Sequence, residues 1–427
     1  MFSTVDLQKF SELGAKSIRE LEVPHGIHAS GREEAYGCIF GRDSLITALL
    51  LLSHCRESND RRYMPLVRKI LENLVALQGK EVNIESGEEP GKCIHEYRVE
   101  KHEHLTQGPN AWYVYPDGTM RNYDTVDATS LMLLAFYEYY TISGDFLFIE
   151  SHMQSIRLAL SWIFEYGDKN GDGFLDYTFH PERKFGGLKT QSWMDSEESV
   201  FHEDSGVRPS YPLAPVEVQA YTFAALKNFA DFFSARDQKL SQRLSEKALD
   251  LKNKFNTAFV KTHGRSVAFA YALDGTGEPL WSARSSIGHC LWASYKGGTT
   301  PESIIDDSYI PAVVKRLMRP DMFVPGAGIR TLSSSSKRYG ATSYHNGSIW
   351  PHDTTIVALG FDTFGYASEA QEIRKGLMQA YRHFNTPIEL FAYDGGFKEY
   401  VCPRGGRACR VQAWSAASLI ATTRAIT

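Results

Sequence analysis

Six cysteines are all that 427 residues contain, and no two of them form a CxxC pair. Cys38, Cys55, Cys93, Cys290, Cys402 and Cys409 are scattered along the chain. That distribution excludes a disulfide framework and a zinc knuckle, and it points to free thiols in a reducing cytoplasm. Long apolar runs are missing too. LITALLLL, at 45–52, is far too short to cross a bilayer. The first ten residues, MFSTVDLQKF, lack a basic segment followed by an apolar one, so no secretory leader is expected. Neither sign of charge dominates, with 46 Lys and Arg against 51 Asp and Glu. Without a basic patch or an acidic block, nucleic acid and membrane are excluded as expected partners. There is no P-loop and no GxSxG, and PGAGIR (325–330) lacks the third glycine and the preceding strand of a dinucleotide loop. No Pro- or Ser-rich linker divides the chain, so residues 1–427 are expected to form a single domain.

What is present is helical periodicity of two kinds. Residues 239–260 place Leu240, Leu244, Ala248, Leu251 and Phe255 on one stripe, with charges elsewhere. Such a helix has one wet face. The segments 4–20, 62–78, 146–166, 303–318 and 366–383 behave alike. Between them lie segments that are apolar or small nearly all round: 42–56, 127–142, 215–234, 281–293, 350–362 and 411–424. A helix apolar on every side is buried on every side. Alternating wet and dry helices predict two concentric layers, an all-α (α/α)6 barrel. SVAFAYAL (266–273) and AWYVYP (111–116) read as short β-hairpin arms in loops, and SSSSKR (333–338) as a mobile surface loop or flap.

The polar residues gather just before the dry helices, in IFGRDS (39–44), NYDTVDATS (122–130), QSWMDSEES (191–199), APVEVQ (214–219), SYHNGSIWPHD (343–353) and PIELFAYDGG (387–396). In a two-layer barrel these loops open at one end, where helix N-termini favour polar ligands. The loops carry Asp43, Asp124, Asp127, Asp195, Glu217, Asp353, Glu389 and Asp394 beside Trp193, Trp350, Tyr344 and Tyr393. Aromatic planes stack on sugar faces and carboxylates accept from hydroxyls, so a carbohydrate is the expected partner. Asp124 and Tyr344 are candidates for sugar contact on that ground. Glycoside hydrolysis needs one protonated and one ionised carboxyl. Trp193 and Met194, directly before Asp195, would supply apolar surface that keeps an acid protonated.

FGRDSLITA, VDATSL, QSWMDS, VEVQAY, SIWPHDTTIVALGF, IELF and VQAWSAASL together resemble the glucosidase domain of the amylo-α-1,6-glucosidases, the glycogen debranching family. That domain belongs to the wider (α/α)6 glycosidases. The resemblance implies an inverting, exo-acting α-glucosidase with Asp195 as general acid and Glu389 as general base. It implies that Arg42 and Asp43 grip the terminal glucose, and that Asp127, Trp193, Gln219, Trp350, His352 and Asp353 line the sugar pocket. Pro387-Ile388 replaces that family's Leu-Pro before the glutamate, which favours a smaller α-glucoside alongside branched glycogen. A glucosylated or mannosylated compatible solute is the first alternative. A non-catalytic sugar-binding barrel, or an epimerase using His345 and His352, is the second.

No cofactor and no metal are expected. DKNGDGFLDY (168–177) resembles half an EF-hand loop, but Phe179 stands where the bidentate glutamate belongs, so it reads as an Asx-rich turn. His95, His102 and His104 fit no zinc spacing. Oligomeric state is left open.

Overall fold

A computed structural model describes residues 2–264, 266–402 and 405–424. Its described helices are α1 (Thr4–Leu21), α2 (Gly41–Ser58), α3 (Met64–Ala76), α4 (Glu103–Thr106), α5 (Ala128–Ser143), α6 (Phe146–Ser151), α7 (Met153–Glu165), α8 (Val216–Phe233), α9 (Gln238–Ala258), α10 (His289–Trp292), α11 (Ile310–Leu317), α12 (Pro351–Thr363), α13 (Ala367–Phe384) and α14 (Ala413–Arg424).

Six of them close a ring. α2 packs on α5, α5 on α8, α8 on α10, α10 on α12, α12 on α14, and α14 back on α2. These are the segments whose apolar residues run all round. In α2 every residue from Gly41 to Leu52 is buried, because neighbours cover it on both flanks and an outer helix covers its back. The outer helices α1, α3, α7, α9, α11 and α13 lean on this ring. Each buries a stripe. In α9 only Leu244, Ala248, Leu251 and Phe255 are buried, one per helical turn. The architecture is the (α/α)6 barrel, and one apolar core runs through it from Ile18 to Ile420.

The eighth segment departs from expectation. A helix over 281–293 is replaced by a 3-10 turn at Ser285–Gly288 and the four residues of α10. Arg284 stays extended so that its guanidinium can reach the carbonyl of His345 at 2.9 Å and Asn346 Oδ1 at 2.7 Å. Gly288 and Gly360 let α10 and α12 touch backbone to backbone. A Cβ at Gly360 would lie 2.8 Å from the amide nitrogen of Trp292.

The loops contain only small sheets. SVAFAYAL splits: Ser266–Phe269 pairs with Val260–His263, and Ala272–Leu273 pairs with Ala214–Pro215 and Pro279–Leu280. AWYVYP forms no strand; Trp112 makes a single bridge to Gly186. Instead, Ile39–Phe40, Glu96–Arg98 and Met120–Asn122 make a three-stranded sheet leading into α2. Segment 333–338 is fastened to the acidic stretch 201–206: Glu203 accepts from Ser336 Oγ at 2.8 Å and from the Lys337 amide at 2.9 Å. No described helix is long and apolar enough to cross a membrane.

Candidate active site

The first turn of α2 is pressed against the segment Ile94–His95, which follows α3. The Gly41 amide donates to the His95 carbonyl at 2.9 Å, and any Cβ on Gly41 would overlap the Ile94 carbonyl oxygen. This close approach seats Arg42 and Asp43 at the mouth of the ring. Arg42 is buried at 1% exposure. Its Nε donates to Asp127 Oδ2 at 2.6 Å and its Nη1 to Asp195 Oδ2 at 3.0 Å. Thr125 Oγ1 donates to the other Asp127 oxygen at 2.6 Å. One planar fork therefore ties α2, the start of α5 and the Asp195 loop together.

Asp195 differs from its neighbours in direction. Trp193 and Met194 are 1% and 4% exposed, whereas the Asp195 side chain is 27% exposed. Trp193 lies flat on His289, with ring centroids 5.8 Å apart, and donates Nε1–H to Ser286 Oγ at 3.1 Å. The two apolar residues thus anchor the loop, and the carboxyl is left facing the mouth. Burial pushes the Asp195 carboxyl up to about 6, against the downward pull of Arg42.

Glu389 approaches from the opposite side of the ring sequence, on the loop after α13. Its Oε2 accepts from the Cys409 amide at 2.7 Å. Its Oε1 accepts from the Tyr344 hydroxyl. Because Tyr344 gives its one proton to Glu389, Tyr36 is the donor in the 3.0 Å contact between the two tyrosine hydroxyls. Burial raises the Glu389 carboxyl to about 7, and these donors hold it back. No hydrogen bond or ion pair joins Asp195 to Glu389 among the described residues.

Asp43 is within electrostatic reach of both. Gln412 Nε2 donates to it at 3.1 Å. Burial lifts Asp43 to about 7, and the charges of Asp195 and Glu389 both push in the same direction. The same two carboxyls raise the Tyr36 hydroxyl, after burial as the first cause. Asp43, Tyr36, Asp195 and Glu389 therefore share one electrostatic neighbourhood.

Beneath this group is a packed aromatic layer. His352 stacks on Trp414 with centroids 3.8 Å apart and stands edge-on to Trp193 and Trp350. Burial holds its pKa well below 6.5, so the ring is neutral. Trp350 Nε1 donates to the Tyr344 carbonyl at 3.0 Å. Tyr221, His289 and Asp353 form a buried line, 2.5 Å from hydroxyl to Nδ1 and 2.8 Å from Nε2 to Oδ1. The structure thus brings Trp193, Trp350, His352 and Asp353 together, as a floor at 0–2% exposure.

Three expected sugar contacts are occupied by the protein instead. Asp124 takes Arg183 at 2.6 Å, Asn122 at 2.8 Å and the Leu188 amide at 2.9 Å, which pins the loop before Asp195. Gln219 exchanges both hydrogen bonds with Leu175, at 2.9 and 2.7 Å. Arg42, expected on the sugar, gives its fork to Asp127 and Asp195. Asp394 is an exposed loop acid paired with Lys398 at 2.8 Å. Periodicity gave no sign of Tyr36, His289 or the Cys409 amide. Gln412 stood inside the VQAWSAASL motif without a role.

In the 168–177 loop, Asp168 accepts from the amides of Gly171 and Gly173 at 2.7 and 2.8 Å, an Asx-type turn. Among the described residues no cluster of His, Cys, Asp and Glu suits a metal ion.

A closed ring of six helices with carboxyls gathered at one mouth is an (α/α)6 barrel, and a family match makes it a glycoside hydrolase. The family model for mannosylglycerate hydrolase MGH1-like glycoside hydrolase domains matches residues 116–416. The chain belongs to that family, which stands beside the amylo-α-1,6-glucosidase group rather than within it. No curated protein matches the chain in sequence. Among solved structures, a GH63 mannosylglycerate hydrolase from Thermus thermophilus in complex with Tris superimposes with a TM-score of 0.67 at 13% identity, over 96% of this chain and 99% of that one. Its complex with glucose gives 0.65 at 14% identity, over 96% and 99%. A wild-type glycosidase gives 0.59 at 13% identity, over 100% and 99%. At such identities the likeness establishes the fold alone.

Proposed function

We propose that the chain is an inverting, exo-acting hydrolase of a small α-linked hexoside. Asp195 gives its proton to the glycosidic oxygen as the bond to the anomeric carbon breaks. Glu389 takes a proton from a water that attacks the same carbon from the opposite face. The single observation that supports this most is a pair of carboxyls fixed on separate loops, Asp195 by Arg42 and Glu389 by Tyr344 and the Cys409 amide, both close enough to Asp43 to act on its charge. Burial against fixed donors is how a protein holds one carboxyl as acid and another as base near neutral pH. Asp43 and Tyr36 are the polar groups best disposed to hold sugar hydroxyls.

For the substrate, the family match favours a hexosyl glycerate or a similar small glycoside. The α-1,6-linked glucoside is the second reading, carried by SWMD and IELF in the sequence. The test is NMR detection of the anomer first released from mannosylglycerate, glucosylglycerate, isomaltose, panose and maltose. Initial release of the β-anomer from an α-hexoside is expected. Initial α-anomer would mean retention and would remove the water-activating role of Glu389. Binding of the panel without cleavage would favour the sugar-binding alternative. An epimerised, uncleaved product would favour the epimerase.

A further inference from the structure

At the other end of the barrel, where the C-termini of the inner helices meet, lies a cavity of about 240 Å³. It is separate from the carboxyls at the mouth: α2, for example, presents Asp43 at its first turn and Leu49 and Ser53 to this cavity. At roughly 30 Å³ of liquid volume per water, it holds the equivalent of about eight waters. That is room for one sugar-sized molecule.

Its walls are of two kinds. Leu49, Leu134 and Leu359 give an apolar side, and half-buried Trp292 gives an aromatic one. Two polar side chains on the wall have no partner among the described residues. Ser294 is 8% exposed and its Oγ makes no hydrogen bond. Asn228 is 4% exposed, and its carboxamide takes part in no hydrogen bond while lining the same space. Buried hydroxyls are rarely left unmatched, and the Asn228 carboxamide opens onto the cavity without a protein partner. Two of the charged groups are paired: Arg56 donates to Glu138, and Asp362 accepts from Arg374 Nη1 at 3.3 Å. Nothing in this set calls for an ionic ligand. An aromatic face, an apolar wall, and unmatched hydroxyl and amide groups together suit a molecule with one apolar face and several hydroxyls.

We propose that this cavity is a second binding site, for a small neutral polyhydroxylated molecule of monosaccharide or polyol type. It stands apart from the reaction at the mouth and does not depend on the reading given to Asp195 and Glu389.

The test uses the whole protein with glucose, mannose and glycerol as probes, by crystal soaking and by titration calorimetry. The expected result is occupancy of the cavity by at least one probe, against Trp292 and within hydrogen-bond reach of Asn228 and Ser294. Asn228→Leu should abolish that binding while leaving kcat/KM within about twofold, because it touches no group at the mouth. Should Asn228→Leu fold poorly, Ser294→Ala is the gentler variant; loss of one neutral hydrogen bond should weaken binding by about three- to tenfold. If none of the three probes enters the cavity, or if binding is unchanged in the variants, the proposal is overturned.

Discussion

Arg42 Nη1 stands 3.0 Å from Asp195 Oδ2, and the same guanidinium holds Asp127 at 2.6 Å through Nε. The pairing sets two opposing forces on one acid. Burial disfavours the Asp195 carboxylate, Arg42 favours it, and the balance lies at about 6. Arg42 is itself buried at 1% exposure, with Asp127 at 0%. Removing one partner of a buried pair leaves an uncompensated charge, which costs about 3–5 kcal/mol. Arg42→Ala should therefore destabilise the fold by roughly that amount in urea titration. A loss below about 1 kcal/mol would show that Asp127 and Asp195 do not rely on it.

The acid role proposed for Asp195 gives a leaving-group test. Asp195→Asn keeps the shape and removes the proton. Turnover of a glycoside with a poor leaving group should fall by about 10²–10⁴. The same variant should lose much less on a hexosyl fluoride, whose departure needs no proton. Equal losses on both substrates would point to a structural role for Asp195.

Rate against pH follows from the two carboxyls together. Asp195 must be protonated and Glu389 ionised, with values of about 6 and about 7. The productive form is most populated midway between them, so kcat/KM should form a narrow bell centred near pH 6.5. A profile still rising at pH 9, measured with a non-ionising substrate, would rule out a proton-donating carboxyl.

The barrel was legible because burial leaves a periodic trace. α2, α5, α8, α12 and α14 are covered on all sides and read as dry, whereas α9 and α13 show one stripe. The eighth segment was legible in place but not in form. Nothing in the local sequence says that Arg284 must stay extended to reach Asn346, 62 residues away. The site followed the same division. Asp195, Glu389 and Asp43 could be named as candidates because topology gathers their loops at one mouth and their motifs resemble those of a known family. Their partners could not, because Tyr36 meets Tyr344 across 308 positions and Gln412 meets Asp43 across 369. Asp124 and Gln219 show the same limit, since their internal partners were not legible either. A polar residue beside a mouth looks the same in sequence whether it faces the ligand or pins the loop, and Arg183 and Leu175 decide which.

Tyr344 is a positioning residue whose effect can be told from packing alone. It donates to Glu389 and so lowers that carboxyl's pKa. Tyr344→Phe retains the ring against Trp350 and Tyr400 and removes the donor. A hydrogen bond to a charged group is worth about 1.5–3 kcal/mol, or about 1–2 pH units. Because Glu389 carries the higher of the two values, the alkaline limb of kcat/KM should move up by about 1 unit, with KM changing less than kcat. A lower rate with an unmoved limb would assign Tyr344 to packing only.

Glu217, at 2% exposure in the first turn of α8, links the site to stability. Burial raises it from 4.5 to about 8. A carboxyl raised in the folded state binds its proton more tightly there than in the unfolded chain. Its contribution is therefore fully present below pH 4.5 and is lost as pH climbs through about 8. The span corresponds to about 4–5 kcal/mol at most. Asp43 and Asp176, each raised to about 7, add slopes of the same sign. Comparing Glu217→Gln with the parent isolates the one group. The variant carries no ionisable proton and should gain stability relative to the parent at pH 8, by roughly a few kcal/mol, and gain little at pH 5. Unfolding midpoints in urea at the two pH values check this; the same difference at both would mean that Glu217 does not titrate across that range in the folded protein.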